Sequence, residues 1–128
     1  MANLPIEFSI KVTGETTGEE YKGVFKIRPR LNLQARLTRD QMRRDLLGVK
    51  GDEASQDAMN IATVYSKIWA HLVEAPSWWK DARNGLDLED EAPAGAVYQE
   101  VLRIEKESID AVLKKGEQAA EALKNAEK

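Results

Sequence analysis

Ile6, Phe8, Ile10 and Val12 alternate with Glu7, Ser9 and Lys11, the period-two pattern of a strand with one buried face. A second alternation follows: Tyr21, Gly23, Phe25 and Ile27 share one side, and Lys22, Val24, Lys26 and Arg28 the other. The segment between them, Thr13 to Glu19, is polar and carries Gly14 and Gly18. The pattern predicts a β-hairpin with a longer loop. Pro29 lacks a backbone donor and ends the second strand. A lone hairpin is marginal in water, so its apolar face needs helices, or a strand from another chain, to complete it.

The period then changes to that of helices. Thr38 followed by Gln41 predicts a capping box, and Gly48 suits the left-handed position that closes a short helix. Leu37, Met42 and Leu46, with Leu47 beside them, form its inward face, while Arg39, Arg43 and Arg44 point elsewhere. Past the loop Val49 to Glu53, Ala58, Ile61, Ala62, Tyr65, Ile68, Trp69 and Leu72 recur at three- and four-residue spacing. That stripe predicts an amphipathic helix from about Ser55, its cap, to Glu74. Pro76 stops it, because the residue before a proline avoids helical geometry.

The stop is followed at once by Trp78 and Trp79, two of the three tryptophans in the chain. Adjacent indoles cannot easily face one way, so one is expected to pack inward while the other is free to reach a partner. Two outcomes stay open: both rings close the core, or at least one makes a protein–protein contact, where tryptophan is enriched. Asn84-Gly85 marks a turn. Asp87, Glu89, Asp90 and Glu91 precede Pro93, a good first helical residue, and are expected to complement the dipole of a last helix. That helix carries Val97, Tyr98, Val101, Leu102, Ile104, Ile109 and Val112. Beyond Gly116 only alanines and Leu123 remain apolar, so the end is expected to fray.

The expected fold is α+β, an N-terminal β-hairpin packed against three or four helices with a long, partly frayed C-terminal helix. Residues 1–115 form a single domain in this reading, and 116–128 a weakly helical or disordered charged tail. At 128 residues the chain is the size of one domain. Its net charge of -3 is unevenly spread: from Lys22 to Lys50 nine Lys or Arg stand against Asp40 and Asp45. Such asymmetry favours head-to-tail association, or halves that neutralise each other.

Composition narrows the chemistry. The absence of cysteine excludes disulfides, thiol catalysis and cysteine metal sites. Met1 to Pro5 lacks the basic and apolar regions of a signal peptide, and no apolar run approaches the roughly 20 residues that span a bilayer; an intracellular protein is expected. His71, the only histidine, has Glu74 as its nearest acid in sequence and reads as a surface or boundary residue. The acids of 87–91 lack the donor spacing and central glycine of a calcium loop. No nucleophile elbow, Walker loop or dinucleotide fingerprint is present. No catalytic, cofactor-binding or metal-binding residue is therefore expected. Arg28, Arg30, Arg36, Arg39, Arg43 and Arg44 could face nucleic acid. They lack interleaved aromatics and a binding motif, which favours a solvated face or a contact with the acidic half.

The order of parts resembles the tail assembly chaperones of long-tailed bacteriophages. The likeness runs through Phe25-Lys26-Ile27-Arg28-Pro29-Arg30-Leu31, a short helix ending Leu46-Leu47-Gly48, and a long helix leading to Ala75-Pro76-Ser77-Trp78-Trp79. An acidic Leu86-Asp87-Leu88 turn and a helix with Val97-Tyr98 and Val101 complete it. The resemblance spans about Tyr21 to Glu107. It implies a non-enzymatic protein that binds tape-measure and tail-tube proteins and keeps them soluble in the host cytoplasm while the tail is built, with a homo-oligomer as a further expectation. Trp78, Trp79, Phe25, Arg43 and Arg44 are the residues expected at partner contacts. The long Ala/Glu/Lys tail and well-formed hairpin depart from the family and leave open a structural subunit of the virion.

Overall fold

A computed structural model describes residues 3–48 and 55–126. The expected hairpin is present: β1 (Ile6–Thr13) and β2 (Glu20–Ile27) pair antiparallel from Ile6 opposite Ile27 to Thr13 opposite Glu20. This register puts both apolar sets on one face. Phe8 sits directly across from Phe25 with the rings stacked, centroids 5.6 Å apart.

Helix α1 (Leu33–Leu47) starts earlier than the Thr38–Gln41 pair suggests. Asn32 is its cap, the side-chain oxygen accepting from Ala35 N at 2.8 Å, and asparagine outranks threonine in that role. Thr38 instead lies inside the helix and donates back to Gln34 O at 3.0 Å, while Gln41 donates to Asp45 at 2.8 Å. Gly48 closes the helix as expected, with φ of 73°. No α1 residue is fully buried. Leu46 packs against the core from the edge, but Leu37, expected inward, is 65% exposed. The loop expected at 49–53 lies outside the described residues.

Helix α2 (Gln56–His71) is capped by Ser55, whose Oγ accepts from Ala58 N at 3.1 Å. It ends at His71, short of the predicted Glu74, and passes directly into a third strand, β3 (Leu72–Glu74). Lys26 pairs with Glu74 and Ile27 with Leu72 across an irregular register, and Arg28 N donates to His71 O at 2.8 Å. Pro76 forces Ala75 out of helical geometry, and the open edge of β2 offers unpaired backbone groups to an extended chain. Pairing there replaces the last helical turn.

Pro76 caps a short helix, α3 (Ser77–Lys80). A turn follows in which Arg83, Asn84 and Gly85 all have positive φ. Helix α4 (Ala92–Ala126) is the expected long C-terminal helix and continues through Gly116. Its buried positions Ala94, Val97, Val101 and Ile104 lie on one stripe. They join Phe8, Ile10, Phe25, Ile27, Tyr65, Ile68 and Trp79 in a single core. The sheet order is β1-β2-β3. From Leu113 to Ala126 every residue of α4 is exposed.

Candidate functional site

The two tryptophans diverge. Trp79 is fully buried, stacked on Tyr65 at 6.0 Å and edge-on to Phe25 at 5.4 Å. Gly85 lies under its ring, so close that an added Cβ would come within 2.7 Å of it. The same turn anchors two other rings: Tyr65 OH donates to Gly85 O, and Trp69 Nε1 to Asn84 O, each at 3.0 Å. Trp79 Nε1 has no hydrogen-bond partner among the described residues, a cost of burying the whole indole.

Trp78 is half-buried and lies along β2. Its Nε1 donates to Lys22 O at 3.0 Å, and its ring approaches Tyr21 at 5.3 Å and Phe25 at 5.9 Å. Gly23 makes this possible, because a Cβ there would come within 2.5 Å of Pro76 and 3.3 Å of Trp78 Nε1. The glycine that interrupts the apolar face of β2 is thus the seat of the Pro-Ser-Trp-Trp run.

Of the five residues expected at partner contacts, Phe25 and Trp79 are sealed in the core. Only Trp78 of that aromatic group keeps exposed surface. Arg43 and Arg44 belong to α1. Arg43 Nε reaches across to Thr63 Oγ1 of α2 at 3.2 Å, and the exposed Arg44 pairs with Gln41 at 2.9 Å. The structure brings the three aromatics together and places both arginines on α1.

The acids before α4 also divide their work. Asp87 forms an exposed pair with Arg83. Asp90 is buried and turned towards the hairpin loop rather than to the helix end. It accepts from Thr16 N at 2.6 Å, Thr17 N at 3.1 Å, Thr17 Oγ1 at 2.5 Å and Tyr21 OH at 2.7 Å. The Thr17 hydroxyl first, then Tyr21 and the two backbone N–H groups, hold its pKa down at about 2 against the effect of burial. Four donors around one carboxylate stabilise the ionised form.

His71 is not at the surface, as its sequence neighbours suggest. Its side chain is fully buried, with Nδ1 2.5 Å from Arg28 O and Nε2 2.9 Å from Glu105 Oε2. The other Glu105 oxygen accepts from Lys67 Nζ at 2.5 Å. Burial lowers the His71 pKa, while Arg28 O and Glu105 oppose that shift. A backbone carbonyl only accepts, so Nδ1 carries the proton that faces Arg28 O, and Nε2 lies against the carboxylate of Glu105. This cluster ties α2, α4 and the end of β2 together. Lys67 and His71, four residues apart, share a helix face, but no sequence signal points to Glu105.

A cleft of about 380 Å³ opens between α2 and the start of α4. Ile61, Val64 and Leu88 give it an apolar lining, and Asp57, Glu89 and Glu91 are acids around it. Ile61, part of the predicted inward stripe, is 39% exposed there. The stripe on α2 was too broad for one seam, and that width was the available signal. A second hollow of about 360 Å³ lies between α1 and β3, beside Met42, Trp69 and Val73.

Among the described residues no group of three or more His, Asp or Glu is placed to hold a metal ion, and no helix is long and apolar enough to cross a membrane. No protein-family model matches the sequence, and no curated protein or solved structure matches it either.

Proposed function

We propose that this chain is a phage tail assembly chaperone, a non-enzymatic protein that binds tape-measure and tail-tube proteins and keeps them soluble during tail assembly in the host cytoplasm. The order of motifs from Tyr21 to Glu107 supports the family. The observation that carries the mode of action is the cleft between α2 and α4, apolar inside and acidic around it. Such a groove accepts the apolar face of an amphipathic helix, and its acids favour a segment flanked by Lys or Arg. The outer edge of β1, unpaired among the described strands, offers a second mode, strand addition.

Co-expression with the tape-measure protein of the same phage tests this reading. The soluble fraction of that protein should rise with this chain and fall back with Ile61→Asp, which places a charge in the cleft at a partly exposed position. Equal solubility with and without the chain overturns it.

The alternative is a structural subunit of the virion, in tail or head. It is favoured by the exposed distal length of α4, since a projecting helix suits permanent assembly. Mass spectrometry of purified particles separates the two: a chaperone is missing from them and a structural subunit is present in stoichiometric amount.

A further inference from the structure

The last residue of α4 buried in the core is Ile104, yet the helix continues to Ala126. At 1.5 Å per residue, roughly 30 Å of helix extends past that point. It is not uniformly polar. Ile109, Leu113, Gly116, Ala120 and Leu123 follow one another at spacings of four, three, four and three residues, the repeat of a coiled-coil seam. Ile109, Leu113 and Leu123 are 43%, 59% and 69% exposed.

We propose that this seam pairs with the same seam of a second copy, antiparallel. In that arrangement Leu113 packs against Leu123 of the second copy and Gly116 against Ala120, with the symmetric contacts on the other side of the two-fold axis. The large residues stand at the ends and the small ones at the centre, where Gly116 and Ala120 let the two backbones approach closely.

Charge selects the direction. Asp110, Glu117 and Lys124 occupy the same flank, one heptad apart. Antiparallel pairing sets each Asp110 beside Lys124 of the other copy, at both ends of the seam. Glu117 faces its own mate near the centre, with Lys114 one turn away on the same helix. A parallel pair would instead set Asp110, Glu117 and Lys124 against Glu105, Val112 and Ala119, with no opposite charges across the seam.

Length agrees with this direction. With Leu113 level with Leu123 of the second copy, the second copy's Ile104 lies beyond Ala126 of the first. The two cores therefore stand at opposite ends of the paired helices and do not collide. The overlap is short, so the dimer is reversible and depends on concentration. The pairing needs no tail protein and is tested on the purified chain alone, so it stands or falls apart from the chaperone reading.

Sedimentation equilibrium from the low to the high micromolar range should show a monomer–dimer equilibrium, with Leu113→Glu and Leu123→Glu each monomeric. Both leucines are exposed in the single chain, so circular dichroism and thermal melting should report an unchanged core. Lys124→Glu should weaken association roughly tenfold, since both symmetric ion pairs become repulsive. Combining it with Asp110→Lys should restore association. The chain has no cysteine, so introduced thiols report direction cleanly. The double variant Leu113→Cys with Leu123→Cys should cross-link between copies, and each single variant poorly. A monomer across the whole range, dimers unaffected by the glutamate variants, or efficient cross-linking by either single cysteine variant overturns the proposal.

Discussion

Gly14 lies against the carboxylate of Asp90 so closely that a single added carbon would overlap it. The two residues come from opposite ends of the fold, the hairpin loop and the turn before α4. The loop folds over Asp90 because its backbone N–H groups and Thr17 need an acceptor, and the carboxylate can satisfy several at once. A glycine is required where the chain passes the acid.

Gly14→Ala should therefore destabilise the protein by about 1–3 kcal/mol, the usual cost of forcing an extra carbon into a packed site. Urea denaturation measures it. A midpoint unchanged from the parent would show that the loop can shift aside without loss.

Asp90 also sets an acid limit. Its folded pKa of about 2 lies below the ordinary 3.8, so the unfolded chain binds a proton more readily. The stabilisation is fully present above pH 3.8 and is lost as pH falls towards 2. Asp90→Asn should lower stability at neutral pH and flatten the acid part of the stability profile, followed by denaturant titration at successive pH values.

His71 acts in a separate, milder window. Burial lowers its pKa from the ordinary 6.5, so below that value the unfolded state takes up the proton first. Its contribution to stability declines as pH falls through 6.5 towards the folded pKa. His71→Gln should remove this slope while leaving the Asp90 region of the curve in place. A parent whose stability instead rises as pH falls from neutrality towards 6.5 would show that Glu105 holds the proton on the imidazole in the folded state.

The two tryptophans should respond unequally. Trp79→Ala removes a fully buried ring and should cost about 3–5 kcal/mol, a large share of the roughly 5–15 kcal/mol that holds a domain folded. Trp78→Phe keeps an aromatic on the sheet but loses the bond to Lys22 O, at about 1 kcal/mol. Thermal melts compare them. If Trp79→Ala melts like Trp78→Phe, the run Pro76 to Trp79 is a grip on the surface and not the latch of the core.

Much of the secondary structure was legible because its causes are local. The hairpin follows from alternation along Ile6–Val12 and Tyr21–Ile27. The start of α2 follows from Ser55, the end of α1 from Gly48, and the turn before α4 from Asn84-Gly85. Each depends on the stereochemistry or polarity of residues a few positions apart. The start of α1 was missed where two local signals competed, and Asn32 outranked Thr38.

The candidate site was legible only in part. Ile61 belongs to the same periodic stripe as Ile68, but neighbouring elements bury Ile68 and leave Ile61 in an open cleft. Phe25 and Trp79 stood out by residue type, which does not report depth.

By itself the sequence determined an α+β chain with an N-terminal hairpin, an amphipathic helix that opens at Ser55 and a long terminal helix, because periodicity and stereochemistry act within each segment. Only the tertiary structure decided that Leu72–Glu74 would become a strand, that Trp79 would turn inward and Trp78 lie over Gly23, and that Asp90 would grip the hairpin loop. It alone joined His71 to Glu105, 34 residues away. Each of these contacts links residues whose spacing along the chain follows no period, so what selects them is the shared burial of groups that must satisfy one another away from water.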